Sequence, residues 1–187
     1  MLNNIYFLRH CKTEYNTRDQ ISGGENISII DSGIDISELE NSDATNMLIM
    51  CSPLKRCVET IELLNNKVPY SMKTIIDVRL VERNMGIFQG KERRKVVSAY
   101  PDYFTACRFN LRMTPPNGES FEDFFNRVNR FSKDLKNEAS LSPVLVSSHN
   151  QTLKMLYAIL NNMDVNYVWN NINFINGKVT KVIWKSL

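Results

Sequence analysis

The chain alternates short, wholly apolar runs with longer stretches whose apolar positions recur at helical spacing. Ile5-Tyr6-Phe7-Leu8 has no polar position and stops at Arg9-His10. A run of that length without alternation predicts a strand buried on both faces. Residues 46–51 (NMLIMC) predict a second, stopped by Ser52-Pro53, where proline can open a helix at its first turn. Residues 54–64 then follow helical spacing, with Leu54, Val58, Ile61 and Leu64 on one face. Residues 73–78 are a third candidate strand, and residues 143–147 a fourth, running out at His149.

The intervening segments predict helices. Residues 91–100 form one, ended by Pro101, and the Thr114-Pro115-Pro116-Asn117-Gly118 stretch breaks the chain after it. Residues 120–136 predict a long amphipathic helix whose stripe is Phe121, Phe124, Phe125, Val128, Phe131 and Leu135. Ser120 or Asn117 can cap it, with an acidic first turn. Residues 151–160 are a further helix. Residues 171–175 and 178–184 read as a hairpin around Asn176-Gly177, a favoured type I′ pair. Strands alternating with helices imply a layered α/β domain, and the terminal hairpin implies a mixed sheet. The 187 residues suffice for a single domain, 1–187, with a sizeable core.

Composition narrows the function classes. The net charge is +3, from 23 Lys+Arg against 20 Asp+Glu, too small a bias to argue for nucleic acid. The run Ile5 to Leu8 is too short for a signal core or a membrane span, and no basic segment precedes it. Cys11, Cys51, Cys57 and Cys107 form no CxxC pair, and with two histidines no zinc spacing arises. These features predict a cytoplasmic protein without a metal or cofactor.

The candidate chemistry sits where predicted strands end. His10 follows the first strand and His149 the fourth; Arg56 lies in the helix after the second, and Glu82 follows the third. Open α/β sheets bind ligands at such carboxyl ends. The set suits phosphoryl transfer. A neutral imidazole attacks phosphorus, and Arg9 and Arg56 hold the phosphoryl oxygens while keeping His10 uncharged. His149 adds a donor, and Glu82 protonates the leaving oxygen. Each residue also has a bland reading: a structural histidine, a solvated helix arginine, a Glu82–Arg83 surface pair.

Five segments carry a family resemblance. Arg9-His10-Cys11-Lys12-Thr13-Glu14-Tyr15-Asn16 resembles the RHG-x-T-x-W-N signature of the histidine phosphatase (phosphoglycerate mutase-like) superfamily. Residues 52–60 resemble its S-x-L-x-R-x-x-x-T segment, and residues 80–90 its L-x-E-x-x-x-G-x-x-x-G acid loop. Pro116-Asn117-Gly118-Glu119-Ser120 is similar to its P-G-G-E-S, and Val146-Ser147-Ser148-His149 to its V-S-H. The resemblance implies a three-layer α/β/α sandwich with a mixed, mostly parallel sheet and a helical cap around 90–118. It implies a phosphate pocket of Arg9, His10, Arg56 and His149, with Asn16 and Thr13 as phosphate-side helpers and Glu82 as proton donor. Arg83 matches mutase-like members and is expected to bind a second anionic group.

Cys11 and Asn150 stand where the family usually has glycine, and a side chain at either place is expected to narrow the pocket. Lys12 and Asn26 also depart from the pattern. The leading reading is a metal-independent phosphatase acting on a small phosphorylated metabolite through phosphohistidine. The alternatives are a mutase, favoured by Arg83, and a non-catalytic phospho-ligand-binding member, favoured by Cys11 and Asn150.

Overall fold

The structure is a computed structural model that describes residues 3–30, 33–39, 46–69, 72–106 and 108–184; Cys107 lies outside them. Its centre is a five-stranded sheet in the order β3-β2-β6-β1-β7. Strands β1 (Asn3–Arg9), β2 (Leu48–Cys51), β3 (Lys73–Ile76) and β6 (Val144–Ser148) run parallel, and β7 (Val179–Trp184) pairs antiparallel with β1.

The uninterrupted apolar runs are explained by layers on both faces. Along β1, Ile5 and Phe7 enter one core, and Tyr6 and Leu8 the other. The first core is closed by α4 (Phe121–Ala139) and α5 (Asn150–Leu160), joined by Trp169 of α6 (Val165–Asn171). The second is closed by α2 (Lys55–Lys67), through Cys57, Ile61 and Leu64. The fold is therefore the α/β/α sandwich. β3 differs from the other parallel strands: it is the sheet edge, and all four of its residues are exposed. Helix α4 buries Phe124, Val128, Phe131 and Leu135, and Ser120 caps it, its Oγ accepting from Asp123 N at 3.0 Å.

A third, smaller apolar cluster gathers Ile21, Met85, Phe88, Val96 and Phe109. The stretch 90–118 contributes α3 (Arg93–Ala99), a 3-10 turn (Pro101–Tyr103) and a ribbon of β4 (Phe104–Thr105) with β5 (Arg108–Phe109). The Phe88 ring is its hub, with centroids 5.1 Å from Tyr100 and 5.4 Å from Tyr103. The short one-turn α1 (Glu14–Thr17) is capped by Thr13. Among the described residues no helix is long and apolar enough to cross a membrane.

The C-terminal hairpin does not form. Asn171 ends α6, residues 172–175 belong to no strand, and β7 takes its partner from β1. A type I′ turn needs two left-handed residues, and here only Gly177 is left-handed, at φ 69°. The backbone that would have made the first hairpin strand is spent elsewhere. The Phe174 carbonyl accepts from Arg9 Nη1 at 2.8 Å, and Asn176 Nδ2 donates to the His10 carbonyl at 2.9 Å.

Phe131 is fully buried at the meeting of α4 and the sheet. Phe131→Ala is expected to cost about 3–5 kcal/mol of stability, read from urea unfolding.

Candidate active site

The parallel register brings the two histidines together. Arg9 at the end of β1 lies opposite Ser148 at the end of β6, so His10 and His149 leave adjacent strands side by side. Their ring centroids are 5.2 Å apart. Cys51 of β2 pairs with Ser147, which brings the Ser52–Arg56 segment to the same end of the sheet.

The tautomer of His10 follows from its partner. Its Nδ1 lies 2.7 Å from the Cys11 carbonyl, which can only accept, so Nδ1 carries the proton. Nε2 keeps its lone pair. The ring is held well below the ordinary histidine pKa, first by burial, then by the Arg56 charge, with Arg9 adding to it; the bond to Cys11 opposes these. His10 lines a small cavity of about 110 Å³ together with Arg9, Asn16, Arg56, Glu82 and Asn150.

Both nitrogens of His149 are engaged by protein. Arg56 Nε donates to Nδ1 at 3.1 Å, so Nε2 carries the proton and donates to Ser52 Oγ at 2.9 Å. The residue is completely buried and does not line the cavity. The expected extra donor to phosphate is therefore replaced by a support for Arg56. The pKa of His149 is also well depressed, by burial, Arg56 and His10 in that order. The Arg56 guanidinium is fixed further by the Glu25 carbonyl at 2.5 Å and the Gly23 carbonyl at 2.9 Å. One hydrogen on each terminal nitrogen remains beyond these bonds.

Arg9 spends Nη1 on Phe174, while its Nε is buried without an acceptor among the described residues. A buried guanidinium N–H without a partner is costly unless an anion completes it. Glu82 faces the same cavity. Its Oε1 accepts from Arg83 N at 3.1 Å and from Thr152 N at 3.2 Å, and its Oε2 from Gln151 N at 3.2 Å. Asn16 lines the cavity but Thr13 does not. Thr13 is buried and holds Asn16, its N and Oγ1 each donating to Asn16 Oδ1 at 3.0 Å. With its oxygen so occupied, Asn16 has only NH donors to offer a ligand.

Arg83 is not at the cavity. It is fully buried, with Nε and Nη2 donating to the Glu119 carbonyl, Nη1 to Leu111 and Nη2 also to Met113. Burial pushes its pKa down to about 10. It ties the acid loop to the stretch that follows α3, and the expectation of a substrate contact is corrected. The two glycine replacements also part company. Cys11 is fully buried, packs in the core behind the sheet and turns its Sγ to the Gly33 carbonyl, so it does not narrow the cavity. Asn150 does line it, with Oδ1 accepting from Phe174 N at 3.1 Å. Lys12 is exposed, and Asn26 Oδ1 accepts from Lys55 N at the start of α2.

Sequence reasoning missed Gln20, Gln151, Arg93 and Phe109, which line the cavity together with Ile21, Ser22, Gly23 and Met85. Gln151 had a signal, two residues past His149; Arg93 and Phe109 reach the site only through the fold of the third cluster.

A sequence model of the histidine phosphatase superfamily (branch 1) matches residues 5–186. The chain is 25% identical over 169 residues to the adenosylcobalamin/alpha-ribazole phosphatase of Escherichia coli, covering 88% of this chain and 82% of that protein. It is 28% identical over 166 residues to the glucosyl-3-phosphoglycerate phosphatase of Mycolicibacterium vanbaalenii, covering 83% and 73%. The structure of a mycobacterial glucosyl-3-phosphoglycerate phosphatase with VO3 superposes at a TM-score of 0.77, with 20% identity, over 97% of this chain and 98% of that one; that likeness speaks for the fold.

Two outcomes follow. Arg83→Met leaves the buried Leu111 carbonyl and the half-buried Met113 and Glu119 carbonyls without their donor and is expected to cost about 3 kcal/mol in chemical denaturation. The chain has only two histidines, both harder to protonate folded than unfolded. The unfolded state therefore binds more protons as pH falls through about 6.5, and stability is lost across and below that point. Urea unfolding between pH 7.5 and 5.5 is expected to show this slope, reduced in His10→Asn.

Proposed function

The chain belongs to the histidine phosphatase superfamily, and on that premise we propose that it hydrolyses a small phosphomonoester through a phosphohistidine on His10, without a metal. The observation that carries the reading is the bond from His10 Nδ1 to the Cys11 carbonyl, which leaves Nε2 as an uncharged nucleophile at a cavity lined by Arg9, Arg56 and Arg93.

In the first step His10 Nε2 attacks phosphorus in line and the bond to the leaving oxygen breaks. Arg9 and Arg56 take the phosphoryl oxygens by charge-assisted hydrogen bonds, with Arg9 Nε gaining the acceptor it otherwise lacks. Asn16 adds an amide donor. Glu82 delivers its proton to the leaving oxygen. In the second step Glu82, now a carboxylate, takes a proton from water, whose oxygen attacks the phosphohistidine. Phosphate leaves, and His10 is neutral again. His149 acts one layer back, aiming Arg56 through its Nδ1. The charge of the phosphoryl group is met by the guanidiniums, so no step calls for a metal.

The mutase reading loses its particular support, because Arg83 is committed to three carbonyls. The binding-only reading loses half of its support, because Cys11 faces away from the cavity.

Turnover of phenyl phosphate, followed by phosphate release, is expected to fall by about 10⁴-fold or more in His10→Ala, and by about 10²- to 10⁴-fold in Glu82→Gln. Acid-stable quenching is the wrong trap: the labelled intermediate should survive alkali and decay in acid, as an N-linked phosphoryl group does. Turnover is expected to persist in a chelator, with the acid limb of kcat/KM well below pH 6.5 because the His10 pKa is depressed. Activity that survives His10→Ala unchanged refutes the proposal.

A further inference from the structure

Glu82 lies across the first turn of α5, and His149, which precedes that helix, makes no side-chain cap. The N–H groups of a first turn have no partner within the helix. Here Gln151 N and Thr152 N find the Glu82 carboxylate, each at 3.2 Å. Thr152 adds its side chain. Its Oγ1 is 2.8 Å from the Val81 carbonyl and 3.1 Å from Glu82 Oε1, with one hydrogen to share between them. The residue is completely buried, so bulk water does not compete for that hydrogen.

Thr152 thus touches Glu82 at its tip and the main chain immediately before it. A glutamate side chain turns about several single bonds, and a proton donor is effective only when those are fixed in one orientation. The donors also sort the two oxygens. Oε1 receives Arg83 N at 3.1 Å as well as both Thr152 groups, whereas Oε2 receives Gln151 N alone. A carboxylate oxygen offers two lone pairs. Oε1 is therefore filled, and Oε2 keeps one pair for a proton. Gln151 lines both the His10 cavity and a neighbouring one of about 440 Å³, whose wall Arg93, Arg108 and Lys154 share. Oε2 is bonded to the residue at the junction of the two, where a leaving oxygen would part from phosphorus.

We propose that Thr152 is the positioning residue for Glu82, holding Oε1 so that Oε2 is the oxygen that carries the catalytic proton. In the first step the proton passes from Oε2 to the leaving oxygen as its bond to phosphorus breaks. In the second, Oε2 takes a proton from water as the water oxygen bonds phosphorus and the bond to His10 breaks. The inference rests on the phosphatase reading and adds to it a residue that touches neither substrate nor phosphate.

The test compares benzyl phosphate with 4-nitrophenyl phosphate, two esters of similar bulk. Benzyl alkoxide must be protonated as it leaves, whereas nitrophenolate departs without a proton. The quantity read is the ratio of kcat/KM, benzyl over 4-nitrophenyl. Thr152→Val removes the hydroxyl and should lower that ratio about 10- to 100-fold, the scale of a misplaced general acid. A loss of packing alone would lower both rates together and leave the ratio where it was. Thr152→Ser keeps the hydroxyl and should restore most of the ratio. Glu82→Gln should lower it as well, and adding Thr152→Val to Glu82→Gln should lower it no further, because the hydroxyl acts only through the carboxyl group. Thr152→Ala, which also lacks the hydroxyl, gives the same readout if the valine variant does not fold. A wild-type ratio in the variants without the hydroxyl, or losses that multiply in the double variant, overturns the inference while His10-dependent turnover stands. Turnover that does not need His10 removes the phosphatase reading, and the inference with it.

Discussion

The bond between His10 Nδ1 and the Cys11 carbonyl is the constraint on which the site depends. It fixes the ring's orientation and its tautomer together, so the opposite nitrogen is both aimed and unprotonated. Burial beside two guanidiniums then keeps the ring from taking a second proton. The same charges that would bind a phosphoryl group thus keep the His10 ring in its neutral form. Arg56 is in turn fixed by His149, and His149 by Ser52, so the polar network joins the ends of β2 and β6.

That arrangement needs backbone as much as side chains. Residues 174–177 lie over the end of β1 and bind it four ways: Phe174 O to Arg9, Asn176 Nδ2 to the His10 carbonyl, and Gly177 N to the carbonyls of Arg9 and His10. Gly177 is at φ 69° and packed against Gly33 and Cys11, where a β-carbon would clash with the Gly33 backbone. The β1 terminus is therefore clamped from its far side, and β7 continues the clamp into the sheet.

Most of the sheet was legible from apolar runs, because burial on both faces removes polar positions from β1, β2 and β6. The grouping of His10, Arg56, Glu82 and His149 was legible because strand ends in such a sheet converge, and each of them followed one. What failed had local signals that tertiary contacts outvoted. Asn176-Gly177 carries a strong turn signature, yet the preceding backbone is consumed by Arg9 and Asn150. Arg83 looks like a ligand-binding cation in the sequence, yet its neighbours supply carbonyls rather than a cavity. The shared wall of Arg93, Arg108 and Lys154 had no sequence signal, since separate elements must fold before they meet. Cys11 and Asn150 are both replacements for glycine, but only the second meets the cavity, a distinction set by which way each side chain leaves the backbone.

Arg83 has one more implication. By gripping the carbonyls of Leu111, Met113 and Glu119 next to Glu82, it spends its side-chain hydrogen bonds on main chain. Side chains along the neighbouring loop can therefore diversify without loosening the rivet that joins it to Glu82. The architecture is modular in that sense: a lineage can retool what it accepts while inheriting the reaction centre intact.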